Sequence, residues 1–64
     1  MNFNNFSIGQ VIQVFLINGG NIKGEFEDVS VGMLLMSNCI ITNRKSIIHK
    51  LNSVFIPVDC IKKN

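Results

Sequence analysis

Apolar and polar residues alternate along this chain in short stretches separated by turn-forming residues. From Ile22 onward, apolar or small positions (Ile22, Gly24, Phe26) alternate with charged ones (Lys23, Glu25, Glu27). A period of two predicts a strand. Just before it, Val14, Leu16 and Ile17 form an apolar run, followed by Asn18-Gly19-Gly20-Asn21. Those four residues tolerate positive φ, so the two runs read as a hairpin. Gly24 falls inside the second strand, where glycine marks a strong bend or a close approach of backbone. A bent strand after a hairpin, in so short a chain, predicts a small, highly curved barrel.

The same pattern continues to the end. Strand one is expected over Gln10–Ile17, strand two over Asn21–Val29, and strand three over Met33–Thr42, with Ser30–Gly32 as a turn. Asn43-Arg44-Lys45-Ser46 makes a polar turn, and strand four spans Ile47–Ile56 with a break or bend at Asn52-Ser53. Pro57 has no N–H to give to a ladder, so Pro57-Val58-Asp59 reads as a tight turn or one turn of 3₁₀ helix. Cys60–Lys63 is a short fifth strand. Residues 1–9, rich in Asn, read as a short arm or a single helical turn, with Phe3 and Phe6 as candidate anchors. Residues 10–64 form the one domain. The expected class is all-β, a five-stranded, strongly bent barrel of the SH3-like or Sm-like kind.

Strands three to five carry apolar residues on both faces. Leu34, Leu35 and Met36 are consecutive, as are Cys39 to Ile41 and Val54 to Ile56. A strand buried on one face alternates more cleanly. Of the 64 residues, 47% are hydrophobic and only 16% charged. A domain of this size hides only about 60% of its unfolded surface. The apolar surplus therefore points to a subunit interface, a common source of stability for small domains.

Net charge is +2, which permits nucleic-acid contact without demanding it. Arg44, Lys45 and Lys50 lie close together, Lys62-Lys63 end the chain, and Glu25, Glu27 and Asp28 make an acidic patch on strand two. Lys23, among those acids, is expected to add little to any phosphate contact. No basic start followed by an apolar segment is visible, and the apolar runs are too short to span a membrane, so the expected location is the cytoplasm. Cys39 and Cys60 are then expected to stay reduced, Cys39 acting as a small hydrophobe.

Leu16, Asn18, Gly19, Ile22, Gly24, Phe26, Val29, Met33 and Leu35 together resemble the first sequence motif of the Sm family, which includes the LSm and Hfq-type proteins. The match covers about a third of the chain. Ser30 stands where the family usually has Asp, and Leu34 where many members have Asn. Ile56 is followed by Pro57-Val58 instead of the Arg-Gly of eukaryotic members, and His49-Lys50 inverts the Lys-His pair of the Hfq type. The resemblance implies a ring in which the fourth strand of one subunit pairs with the fifth of the next. It also implies that the ring holds single-stranded RNA.

On that reading the candidate RNA-binding residues are His49, Lys50, Arg44, Lys45, Ser30 and Met33. His49 offers a ring or a donor, and Lys50, Arg44 and Lys45 offer cations for phosphate. With Trp and Tyr absent, only Phe and His supply stacking rings. One histidine, no nucleophile motif and no metal-ligand spacing argue against an enzyme. No cofactor, metal, membrane or small-molecule substrate is expected. The partners are further copies of the chain and single-stranded RNA. The alternative is a small barrel serving self-assembly or protein contact without RNA.

Overall fold

A computed structural model describes residues 5–46 and 48–62. Phe3, Ile47 and Lys63, to which expectations attach above, lie outside the described residues. The chain is all-β: β1 (Val11–Phe15), β2 (Asn21–Ser30), β3 (Met33–Thr42) and β4 (Ile48–Pro57) form one antiparallel sheet in the order β1-β2-β3-β4. A 3₁₀ turn, Val58–Cys60, follows β4. Each strand pairs with its sequence neighbour, because each connection is a short turn. The described part of the expected fifth strand differs from expectation. Cys60 lies in the 3₁₀ turn, and Ile61 makes a single antiparallel bridge to Leu16. Two backbone hydrogen bonds flank that bridge, from Ile17 N–H to the Cys60 carbonyl (3.0 Å) and from Lys62 N–H to the Phe15 carbonyl (2.6 Å).

The bend lies in β2 and β3 and leaves β4 unbroken. Lys23 pairs with Ile40, but Glu25 pairs with Ser37, so β3 holds one residue more than β2 between these pairs. Asn38 takes φ +50° there, a conformation Asn tolerates. A second irregularity, between Phe26 and Asp28, adds a residue to β2 and restores the register. Gly24 explains why the first bulge fits. A Cβ on Gly24 would lie 2.9 Å from both Cys39 Sγ and the Ser37 carbonyl oxygen. β4 runs through Asn52-Ser53 as one strand in regular register with β3, so the expected break is absent, and the bulges lie between β2 and β3. Two side-chain bonds fasten the bulge: Ser37 Oγ donates to Glu27 (2.6 Å) and Asn38 Nδ2 donates to Glu25 (2.6 Å).

The bulge at Asn38 also accounts for the slip in the burial pattern along β3. Leu34 and Met36 are fully buried, then the phase slips and Cys39 is buried in turn. These three join Ile12, Val14, Ile22, Phe26, Ile56 and Ile61 in one core. Each large aliphatic side chain buried this way contributes about 1.5–3 kcal/mol. Phe6, one of the expected anchors, packs edge-on against Phe26 with ring centroids 5.7 Å apart. Gly9 N–H, donating to the Phe26 carbonyl at 2.7 Å, ties the arm to β2.

The apolar surplus remains on the surface of the single chain. Val11, Phe15, Ile17, Ile40, Ile48, Leu51 and Phe55 are all exposed, Phe55 by 65%. Among the described residues no helix is long and apolar enough to cross a membrane.

Candidate nucleic-acid interface

The six candidate residues fall at two ends of the sheet. Ser30 and Met33 face each other as the last pair of the β2–β3 hairpin. The two residues between them, Val31 (φ +52°) and Gly32 (φ +73°), both take positive φ, the requirement of a type I′ turn. Ser30 is exposed and Met33 half-buried. Met33 also pairs with Pro57, and Val58 N–H donates to the Gly32 carbonyl at 2.9 Å. This end therefore joins the β2–β3 turn to the 3₁₀ turn. Asp28 lies toward this end, and Asp59 follows Val58 in the 3₁₀ turn, which runs on to Cys60 beside Ile17.

Arg44, Lys45, His49 and Lys50 belong to the other end. His49 pairs with Ile41 and Lys50 with Ile40, inside the regular part of β4. Adjacent residues on a strand point to opposite faces, so His49 and Lys50 leave the sheet on different sides. Both are exposed. Nine residue steps along the bulged β3 separate the Met33 and Thr42 rows, a path of roughly 30 Å at a strand's rise. The structure thus brings the four basic or imidazole candidates to one end and leaves Ser30 and Met33 at the other.

Two turns build the basic end. In the β1–β2 turn, Gly20 N–H donates to Asn18 Oδ1 (2.9 Å) and Gly19 N–H to the Leu16 carbonyl (3.0 Å). Gly19 has φ +95°. Arg44 lies across it: a Cβ there would fall 2.9 Å from Arg44 Cζ. Gly20 is buried against the Thr42 carbonyl oxygen, which would stand 3.0 Å from an added Cβ. In the β3–β4 turn, Lys45 N–H donates to Asn43 Oδ1 (2.8 Å) and Ser46 N–H to the Asn43 carbonyl (2.9 Å). The two turns enclose an open cleft of about 360 Å³, lined by half-buried Leu16 and Ile41 together with Asn18, Arg44 and Lys45. A second hollow, about 310 Å³, lies beside the Asn38 bulge and includes Lys50 and Leu51.

Pattern reading set Lys23 apart from this end, and the register shows which residues lie beside it. Gln13 pairs with Lys23, Lys23 with Ile40, and Ile40 with Lys50, so these four residues form one row across the sheet. The signal was available in part, because the tight β1–β2 turn fixes the Gln13–Lys23 pair. The β3–β4 pairing was not available.

Glu25 and Glu27 are hydrogen-bonded at the bulge. Among the described residues no three of His, Cys, Asp and Glu are grouped to hold a metal ion. Cys39 and Cys60 are free thiols, the first buried and the second exposed. Burial pushes the Cys39 thiol above its usual range, and the nearby Glu25 carboxylate adds to the shift. No protein-family model matches the chain, and neither does any curated protein.

Proposed function

We propose that this chain is a subunit of a homo-oligomeric, Sm-like ring, folded as a strongly bent five-stranded barrel, and that it binds single-stranded RNA without catalysis. The observation that carries the reading is the contrast between the sheet's two margins. On the free side of β1 the chain returns, and Ile61 bridges Leu16 as the start of a fifth strand. On the free side of β4, among the described residues, no strand pairs, although β4 is 10 residues long. It also carries exposed Ile48, Leu51 and Phe55. A long apolar edge is an aggregation hazard unless it is paired. Pairing it with the Ile61 segment of a neighbour is heterologous and closes into a ring when the rotation is right. The basic turns beside the cleft support the RNA part, since cations on phosphate and surfaces for bases are what single strands require.

A second reading, assembly or protein contact without RNA, draws on Asp28, an acid toward the end that holds Ser30 and Met33. Two measurements on the unmodified protein separate the readings. Native mass spectrometry at micromolar concentration is expected to give a multiple of 7.2 kDa. Fluorescence anisotropy with short U-rich and A-rich oligonucleotides is expected to give salt-dependent binding. A multimer that binds neither oligonucleotide at about 50 mM salt, where phosphate contacts are strong, leaves the second reading. A lone monomer removes the ring.

A further inference from the structure

We infer that the phosphate backbone of single-stranded RNA docks at the end of the sheet formed by the β1–β2 and β3–β4 turns, and that Lys23 is one of its contacts. This rests on the RNA reading above and adds where on the subunit the strand lies.

The observation behind it is the separation of charge along the strands. Lys23 and Lys50 flank Ile40 in one cross-strand row. Residues paired across a ladder leave the same face. Their Cα atoms are therefore about 10 Å apart, two strand spacings. Arg44 and Lys45 sit on the turn just past Thr42, and Lys62 is held beside Phe15 by its backbone bond. Lys63 aside, these are all the lysines and arginines of the chain.

Three of the four acids lie the other way: Glu25, Glu27 and Asp28 follow Lys23 along β2 toward the far turn. Asp59 lies between the ends, in the 3₁₀ turn that runs from Val58 beside Gly32 to Cys60 beside Ile17. None of the five cations makes a side-chain ion pair or hydrogen bond among the described residues. The charges therefore do not neutralise one another within the chain, and the molecule presents a cationic end with the acids of β2 pointing away along the strand. A polyanion is drawn to the first and repelled from the second. The cationic end also has the cleft lined by Leu16 and Ile41, with Arg44 and Lys45 at its rim. An apolar hollow beside cations suits a base with its neighbouring phosphate.

The test measures oligonucleotide binding between 50 and 200 mM salt, the window in which phosphate contacts change most. Lys23→Ala and Lys50→Ala are each expected to weaken binding. Each also flattens the log–log salt slope by about 0.7, the loss of one phosphate contact on a single strand. Ser53→Ala, an exposed neutral residue of β4 that pairs with Ser37 beyond the bulge, is expected to leave affinity and slope unchanged. Melting curves of all three variants check folding, and amide shifts of the labelled unmodified protein give a second readout. Shifts clustered at residues 18–23, 40–46 and 50 support the placement.

Binding that persists with an unchanged slope in Lys23→Ala, or shifts confined to Ser30–Met33, overturns the placement but not the RNA reading. No binding by the unmodified protein overturns both. If salt and Lys23→Ala instead abolish self-association while no oligonucleotide binds, the cationic end faces the β2 acids of a second copy. Binding to vesicles of anionic lipid in place of oligonucleotides assigns it to a membrane surface. Either result overturns the inference.

Discussion

Gly24 and Cys39 pack against each other across the bulge between β2 and β3. A Cβ on Gly24 would stand 2.9 Å from Cys39 Sγ and 3.0 Å from Cys39 Cα. It would also stand 2.9 Å from the Ser37 carbonyl oxygen. Two of these three neighbours are backbone atoms, so the obstacle is the path of β3 and not one movable side chain.

Gly24→Ala is therefore expected to destabilise the fold by about 1–3 kcal/mol, the range for overpacking a fitted core. Trimming the sulfur does not help, because the backbone neighbours remain. The double variant Gly24→Ala with Cys39→Ala is expected to melt no higher than Gly24→Ala alone. Recovery of most of the lost stability in the double variant would show that only the sulfur matters.

Val31 gives the opposite kind of prediction. It is 98% exposed, so packing does not hold it in place. Its φ of +52° is one that a β-branched residue adopts only under strain. Asn followed by Gly is the preferred pair for this turn. Val31→Asn is expected to stabilise by about 1 kcal/mol, at the low end of the strain held at such positions. For a domain this small that raises the melting temperature by roughly 4–8 °C. A lower melting temperature would mean that Val31 has a partner.

The buried thiol makes stability depend on pH. Its folded pKa lies above the ordinary range of a thiol, chiefly because of burial and then because of Glu25. The native state thus holds this proton more tightly than the unfolded chain does. The contribution is complete below the unfolded value and falls away as pH rises past it toward the folded one. Denaturant titrations from neutral pH into the alkaline range are expected to show that decline. Cys39→Ala is expected to remove it, and an equal slope in the variant would disprove the link. In the unmodified protein a thiol reagent is expected to modify exposed Cys60 at once and Cys39 only as the fold opens.

The free margin of β4 supplies a fourth prediction. A lysine on an edge strand discourages strand addition. Phe55→Lys changes a residue already 65% exposed, so the isolated chain is expected to lose little stability. Self-association, in contrast, is expected to weaken by tenfold or more, since burying a Phe is worth about 1.5–3 kcal/mol and 1.4 kcal/mol is a factor of ten. Sedimentation of the two proteins at matched micromolar concentrations decides it. Equal association would place the interface elsewhere.

How much of this was legible in the sequence depends on the range of the forces involved. Met33–Thr42 is read with both ends correct, because turn residues and alternation are local. Gly24 is legible as a bend for the same reason. The bulge at Asn38 is not, since nothing beside Asn38 signals it. Its cause, Gly24, sits on another strand. Three consecutive apolar residues at Leu34, Leu35 and Met36 read as apolar on both faces. Two of them enter the core, and Leu35, paired with exposed Phe55, is half-buried. The candidate site fared in the same way. The composition of the turns identified Arg44 and Lys45. Whether His49 and Lys50 lie near Ser30 and Met33 depends on the pairing of β3 with β4, and a residue string does not carry that register. Lys23 was discounted for its sequence neighbours, although its neighbours across the sheet are Gln13 and Ile40.

The bridge between Leu16 and Ile61 has a consequence for how the chain folds. Every other strand pairing joins sequence neighbours, so three hairpins can zip in succession with short loops to close at each step. Among the described residues this bridge and its flanking bonds join the backbone partners farthest apart in sequence, so its closure entropy is the largest of the pairings. It is expected to form last on folding, after the β2–β3 hairpin has supplied the surface that Ile61 covers. The order reverses on opening. The segment from Val58 onward should lose its amide protection before any strand does, and β1 should lose its flank with it. Deleting the residues after Cys60 is then expected to speed unfolding while leaving the folding rate nearly unchanged.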